Sequence, residues 1–107
     1  MRLAFVRRRD LIVRLASEIP GFRVNKPDGA FYIFPEITAL LGKRHGDRRI
    51  ETAGDLAMYL LDEAHVASVD GAAFFAPGYI RFSYAASEEQ ITEAMTRVRH
   101  AVEALED

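Results

Sequence analysis

Residues 79–84 of the chain read YIRFSY and follow directly on a Pro-Gly pair. Aromatic and β-branched residues are typical of strands, and a Pro-Gly pair is typical of a turn. Because side chains alternate between the two faces of a strand, the segment has two rows: Ile80, Phe82 and Tyr84 on one face, and Tyr79, Arg81 and Ser83 on the other. The apolar row predicts that one face of this strand lies in the core.

The segments around this strand predict further helices and short strands. Immediately downstream, residues 87–90 (SEEQ) form a capping box, and the apolar residues after it recur at helical spacings: Ile91, Met95, Val98, Val102 and Leu105. Upstream, the patterns predict helices over residues 3–19 and 53–64 (the second capped by Thr52 with Asp55), strands over 30–34 and 65–69, a helical turn over 37–41 and a charged loop over 42–49. This order, with short connections between the last strands, predicts an α+β fold in which helices cover one face of a small antiparallel or mixed sheet.

Length and composition limit the classes of protein that the chain can belong to. Its 107 residues, half of them hydrophobic, suffice for one domain with a single core. Fourteen Lys and Arg against sixteen Asp and Glu give a net charge of −2, which favours neither nucleic acid nor an anionic membrane. The lack of Cys excludes disulfides and thiolate metal sites. No apolar run approaches the ~18 residues of a membrane span, so we expect a single soluble, cytoplasmic domain over residues 1–107.

Arg81 is the residue that says most about function. A charged side chain in the middle of an aromatic strand is rarely tolerated without a partner. A guanidinium held on a rigid strand presents two parallel N–H donors, a geometry that matches a carboxylate. The pattern is also typical of an arginine on a solvent-facing row, or of one paired with a structural acid, and on the pattern alone these structural interpretations are the commoner ones.

The other polar residues form no recognisable catalytic set. His45, His65 and His100 lie in separate segments without carboxylate partners at ligand spacing, so we predict no metal site. Residues 42–46 (GKRHG) lack the order of a phosphate-binding P-loop. The residues by themselves therefore indicate one candidate anion binder and no catalytic residue.

Three segments in order resemble the C-terminal part of fold-type I, pyridoxal-phosphate-dependent aminotransferases of the aspartate aminotransferase group. Residues 5–21 are similar to that family's "RRD…L…PG" helix, and residues 27–35 (PDGAFYIFP) are similar to its "P-x-G-A-F-Y-x-F-P" segment. Residues 66–85 (VASVDGAAFFAPGYIRFSYA) resemble "V-x-x-x-P-G-x-x-F-G-x-x-G-y-[IV]-R-[ILF]-S-[YF]-A". The three segments together cover nearly the whole chain, and the resemblance implies the fold of the family's small domain.

The resemblance implies roles for three residues. Arg81 stands where the family's small-domain arginine binds the α-carboxylate of the substrate, which favours the functional interpretation of this residue over the structural one. A two-pronged clamp there would hold the amino acid so that its amine reaches the cofactor. Phe31 and Tyr32 lie in the segment that approaches the substrate in the family, so the resemblance implies a lining role for them, with plain core aromatics as the alternative.

The resemblance also implies that the cofactor chemistry lies elsewhere. In the family, the lysine that links to the cofactor and the residues that bind its phosphate belong to the large domain. The lysines of this chain, Lys26 and Lys43, fall in predicted loops outside the family's lysine motif. We therefore expect a fragment that is inactive alone and binds no pyridoxal phosphate, from a homodimeric enzyme that uses this cofactor to transfer an amino group between an amino acid, aspartate by resemblance, and a 2-oxo acid.

Two positions depart from the family pattern. Asp70 occupies the place of the usual proline before Gly71, and Phe75 replaces the common glycine after Phe74. Either change could alter how the small domain closes on the substrate.

Two other functions stay open on the sequence. Another fold-type I reaction, a β-lyase or a decarboxylase, would use the same carboxylate clamp. A freestanding module that binds a small carboxylate or a partner protein would catalyse nothing. A domain separated from its neighbours should have an uncovered apolar patch on the first helix, whereas a standalone module should have a polar outer face.

Overall fold

The computed structural model describes residues 2–24, 32–74, 76–83 and 86–107, with side chains from Val6 onward except that of Phe74. Within these ranges the helices are α1 (Arg2–Ser17), α2 (Ala53–Ala64) and α3 (Glu88–Glu103). The strands are β1 (Tyr32–Ile33), β2 (Arg44–His45), β3 (Arg48–Arg49), β4 (Val69–Asp70) and β5 (Ile80–Ser83). The predicted α+β class is confirmed.

The central sheet has three antiparallel strands in the order β1-β5-β4. The register pairs Tyr32 with Ser83 on one side of β5, and Val69 with Arg81 on the other. One face of this sheet is in the core, where Ile33, Ile80 and Phe82 are at most 1% exposed. The predicted alternation along the last strand is confirmed for residues 80–83, while Tyr84 lies outside the described residues.

Helix α2 has the predicted bounds, and the capping boxes predicted at the starts of α2 and α3 both form, whereas α1 ends two residues before the predicted end. Thr52 Oγ1 accepts a hydrogen bond from the Asp55 amide at the start of α2, and Ser87 Oγ accepts one from the Gln90 amide at the start of α3. The Tyr59 hydroxyl of α2 then donates to the Ala101 carbonyl of α3 at 2.7 Å, so the two helices are joined by a buried hydrogen bond as well as by apolar contact.

Two of the predicted elements are wrong. The strand predicted over residues 65–69 is displaced to Val69–Asp70, because His65 ends α2 in the left-handed conformation with φ of 56°. The charged segment predicted as a loop over residues 42–49 is a hairpin of β2 and β3. Its backbone is held by a distant partner: Arg44 and Glu106 exchange two backbone hydrogen bonds of 2.7 Å.

The exposed apolar side chains are not where the sequence argument places them. In the part of α1 whose side chains are described, no large apolar residue is exposed, because the apolar side of α1 packs against α3 and charged residues occupy its other faces. Among the side chains that the structure describes, the exposed large apolar ones belong instead to the sheet and its continuation beyond β1, to α2, and to the position after a helical turn over Thr38–Leu40: Tyr32, Phe34, Val69, Met58, Leu61 and Leu41. None of the helices in the described ranges has the length and apolar composition that crossing a membrane requires.

Candidate functional site

Arg81 lies at the centre of the sheet, in the middle of its central strand. Its chain neighbours Ile80 and Phe82 are buried at 0% and 1% exposure, and they fix the backbone of β5 against the helices. The Arg81 side chain is therefore on the opposite face, where it is half-buried. A guanidinium on such a strand has a fixed origin and a restricted reach, which suits it to bind one ligand group in one orientation.

Three exposed apolar side chains surround Arg81. Val69 of β4 pairs directly with Arg81, and Tyr32 of β1 pairs with Ser83, two residues after Arg81 on the same face. The β1–β5 pairing continues beyond β1, since the Ile80 amide donates to the Pro35 carbonyl, and this register places Phe34 opposite Arg81. Tyr32, Phe34 and Val69 are 38%, 40% and 37% exposed. We call this surface, formed by Arg81, Tyr32, Phe34 and Val69, the Arg81 face.

Arg81 contacts Tyr32 directly. The guanidinium carbon is 4.2 Å from the centroid of the Tyr32 ring, well inside the ~6 Å range of a cation–π contact. The negative face of the ring attracts the cation, and the planar guanidinium stacks on aromatic faces more readily than an ammonium does. The structure thus brings two of the three predicted site residues together, while Phe31 lies outside the described residues.

The segment that leads into β5 is closed by a glycine. The Gly71 amide donates to the Tyr79 carbonyl at 2.7 Å, and the Gly71 carbonyl accepts from the Ala76 amide at 2.8 Å. A Cβ atom on residue 71 would be 2.3 Å from the Ala76 carbonyl oxygen and 2.5 Å from that of Tyr79. Only glycine fits between these two backbone segments. Gly71 is therefore held against Ala76 and Tyr79, the residues that lead into β5.

Asp70 has a structural explanation for its departure from the family pattern. One carboxylate oxygen accepts a hydrogen bond of 2.9 Å from the Ala72 amide. The other lies against the first turn of α2, where it would be 2.8 Å from a Cβ atom on Gly54. A carboxylate is stabilised at a helix N-terminus, where the helix dipole is positive. Asp70 thus joins the loop before β5 to α2, and the other departure, Phe75, lies outside the described residues.

Lys43 and the three histidines are not part of the Arg81 face. The Lys43 ammonium donates to the Asp107 carboxylate at 2.7 Å, and Lys26 lies outside the described residues. His45 is in the β2–β3 hairpin with its ring against Tyr59, and His65 and His100 belong to the end of α2 and to α3. Within the described ranges, no group of three metal-ligating side chains is close enough to hold an ion.

The groups with shifted pKa values also lie elsewhere. Burial raises the pKa of Tyr59, and the nearby charge of Glu63 adds to this while Arg48 opposes it. The hydrogen bond and the charge of Lys43 lower the pKa of Asp107. Chemically, the Arg81 face offers a cation among exposed apolar side chains, so it is suited to bind an anion.

Sequence reasoning missed two of the residues beside Arg81. Phe34 follows Tyr32 at a spacing of two, so the alternation in residues 30–34 carries a signal for it. Val69 could not be assigned, because its place depends on the register between β4 and β5 and the predicted strand began four residues too early.

Comparison with known proteins places these features in a family. The sequence profile described as "Aminotransferase class I and II" matches residues 1–98. The chain is 50% identical over 103 residues to a probable aspartate/prephenate aminotransferase of Aquifex aeolicus, covering 96% of this chain and 25% of that protein. It is 44% identical over 107 residues to an aspartate aminotransferase of Streptomyces avermitilis, covering 100% of this chain and 26% of that one.

Solved structures agree with the sequence relatives. The aspartate aminotransferase of Rhizobium meliloti superposes with a TM-score of 0.93 at 42% identity, over 96% of this chain and 26% of that one. The alanine aminotransferase of Pyrococcus furiosus superposes with a TM-score of 0.82 at 32% identity, over 94% of this chain and 24% of that one. The chain thus spans about a quarter of the length of these relatives. On the match over residues 1–98, this chain belongs to the aminotransferase class I and II family.

Proposed function

We propose that the chain is the substrate-binding, C-terminal part of a pyridoxal-phosphate-dependent aminotransferase, and that Arg81 binds the α-carboxylate of the amino acid. The observation that carries this proposal is the position of Arg81 on the central strand. Its backbone is fixed by buried neighbours, and its guanidinium is half-buried among apolar side chains. Partial burial strengthens an ion pair relative to one in open water.

The proposed contribution of Arg81 is orientation. Two parallel N–H···O bonds to a carboxylate fix the position of the carboxylate and also its rotation, whereas a single point charge fixes only the position. An amino acid held in this way presents its amine and its Cα–H in a constant direction, which lowers the entropic part of the barrier to reaction. Phe31 and Tyr32 are proposed to line the same side of the substrate.

We propose that the cofactor is held by residues outside this chain. Pyridoxal phosphate supplies the electron sink for amino-group transfer, and enzymes link it to a lysine. In the described ranges Lys43 does not fit this role, because its ammonium is bonded to Asp107 away from the Arg81 face. The chain alone is therefore proposed to be inactive, and the working enzyme to be a cytoplasmic homodimer in the manner the family implies.

Aspartate is the proposed amino donor, and an amino group would pass from it to a 2-oxo acid. Two relatives, at 50% and 44% identity, are named for aspartate and prephenate and for aspartate. However, the same fold occurs in proteins named alanine and aromatic aminotransferases, at 32% and 38% identity. Since the α-carboxylate is common to all these amino acids, the Arg81 face would serve each of them, and we propose that side-chain selection lies in the rest of the enzyme.

A chimeric enzyme tests this proposal. The 107 residues replace the matching segment of the Rhizobium meliloti aspartate aminotransferase, to which they superpose with a TM-score of 0.93. We expect the purified chimera to convert L-aspartate to oxaloacetate with stoichiometric amination of the acceptor, and the isolated 107-residue chain to show no such activity. A chimera that folds and binds pyridoxal phosphate but does not transfer the amino group would contradict the proposal.

The isolated chain provides a second test. It is incubated with pyridoxal phosphate, reduced with borohydride and mapped by peptide mass. We expect no stoichiometric adduct. A single adduct on Lys26 or Lys43, with the absorbance band of a lysine–cofactor imine, would show that the chain holds the cofactor itself. The proposal that residues outside this chain hold it would then be wrong.

A further inference from the structure

We infer that Tyr32 is a positioning residue for Arg81: its ring fixes the plane of the guanidinium, so that the N–H edge of Arg81 is ordered before a carboxylate arrives. This inference rests on the proposed function of Arg81 and goes beyond it, because it gives Tyr32 a partner within the protein in addition to the proposed contact with the substrate.

The backbone holds the two side chains in this arrangement. Tyr32 pairs with Ser83, and Arg81 is two residues before Ser83 on the same face of β5, so the two side chains are diagonal neighbours across the strands. The backbone of Tyr32 is fixed by Ile33, which is 0% exposed, and by the antiparallel pairing of β1. The guanidinium carbon then lies 4.2 Å from the ring centroid.

The contact between the two side chains involves the face of the guanidinium and not its edge. A cation over the face of a ring interacts through the π electrons, so this contact uses none of the N–H donors of the guanidinium. Carboxylates are bound by those donors, which point outward in the plane of the group. An arginine side chain also has several rotatable bonds, and ordering it costs free energy when a ligand binds. A ring that orders Arg81 in advance removes part of this cost.

A positioning role and a lining role predict different responses. If Tyr32 only lined the substrate, its replacement would change the affinity for each ligand according to the size and polarity of that ligand's side chain. If Tyr32 positions Arg81, its replacement would weaken the binding of every carboxylate by the same factor, since all of them bind to the same guanidinium. The hydroxyl of Tyr32 should matter little, because the ring face makes the contact.

The test uses the 15N-labelled 107-residue chain and the side-chain Nε–Hε signal of Arg81, titrated separately with acetate and with succinate. In the wild type and in Tyr32→Phe, the ring current should shift this signal to lower frequency. In Tyr32→Leu the shift should be lost, and the Kd for both carboxylates should rise about two- to fivefold, as expected for a cation–π contact at a partly exposed site. Backbone amide spectra of each variant report whether the fold is kept.

The outcomes separate this inference from the proposed function. A signal of Arg81 that does not differ between the wild type and Tyr32→Leu would overturn the inference, as would equal Kd values in the two proteins. Either result would leave carboxylate binding by Arg81 intact. If the Arg81 signal responds to neither acetate nor succinate in the wild type, carboxylate binding itself is contradicted, and the inference falls with it.

Discussion

Replacing Gly54 by alanine should destabilise this chain only while Asp70 is present. An alanine Cβ at residue 54 would be 2.8 Å from Asp70 Oδ2, which is closer than such atoms approach. The carboxylate cannot move away freely, since its other oxygen accepts the 2.9 Å hydrogen bond from Ala72. The substitution must therefore disrupt either this hydrogen bond or the packing of the loop on α2.

The magnitude follows from three opposing contributions. Loss of a hydrogen bond to a charged group costs about 1.5–3 kcal/mol, and loss of the carboxylate from the helix N-terminus costs about 0.3–1 kcal/mol. The higher helix propensity of alanine returns up to about 1 kcal/mol. Gly54→Ala should thus lower the free energy of unfolding by about 1–3 kcal/mol in the wild type. In an Asp70→Ala background it should have no cost, or raise the stability by up to about 1 kcal/mol.

Urea denaturation of the wild type, Gly54→Ala, Asp70→Ala and the double variant measures the coupling free energy between residues 54 and 70, which we expect to be about 2–4 kcal/mol. Gly42→Ala is the control: residue 42 has φ of 95° and no atom near its Cβ position, so its cost should be the same with or without Asp70. A coupling between residues 54 and 70 below about 0.5 kcal/mol would refute the reasoning, because the two sites would then be independent.

Substitutions in the core and between the helices test the packing that supports the Arg81 face. Phe82→Ala should lower the free energy of unfolding by about 3–5 kcal/mol in urea denaturation, since Phe82 is 1% exposed and stacks on Phe22. The control Met58→Ala, at a side chain that is 55% exposed, should lower it by less than about 0.5 kcal/mol. Equal losses in the two variants would contradict the assigned core. Tyr59→Phe should cost about 1–2 kcal/mol near neutral pH through loss of the hydrogen bond to Ala101. Because the folded state raises the pKa of Tyr59 above its usual value of 10.0, the wild type should lose stability as the pH rises above about 10. The difference in free energy of unfolding between the wild type and Tyr59→Phe should therefore become smaller in that pH range. A difference that stays constant would count against the raised pKa.

The local parts of the fold could be predicted from the sequence. The capping boxes at Thr52 and Ser87 mark their helices because each is complete within four residues. The alternation of Ile80, Arg81, Phe82 and Ser83 likewise assigns the two faces of β5 without knowledge of its neighbours. Arg81 could be singled out for the same reason: a charge within an apolar strand is visible in the sequence alone.

The parts that depend on distant residues could not be predicted. The β2–β3 hairpin looks like a loop because its residues are charged, and its backbone pairs with Glu106 near the other end of the chain. The start of β4 is displaced by the left-handed conformation of His65, which periodicity does not reveal. The close approach of the Asp70 carboxylate to Gly54 joins two positions that are sixteen residues apart, and neither local sequence pattern predicts it.

The candidate site could likewise be predicted only in its local parts. Arg81 and Tyr32 lie together as the resemblance implies, but the sequence did not show that their contact is a direct one of 4.2 Å. Val69 joins the Arg81 face only through strand register, which a single sequence does not specify. The role of Phe31 stays a prediction.

The central claim is that Arg81 binds the substrate carboxylate with two parallel hydrogen bonds, and Arg81→Lys tests it most directly. In the chimeric aminotransferase, kcat/KM for L-aspartate is measured for this variant and for Arg44→Lys, a control in the exposed β2–β3 hairpin. Lysine keeps the charge but cannot form the paired hydrogen bonds, so loss of one charged hydrogen bond should lower kcat/KM about 10- to 150-fold. The control should stay within about twofold of the unsubstituted chimera. An Arg81→Lys variant that matches the control would show that residue 81 supplies no more than a charge, and the claim would be wrong.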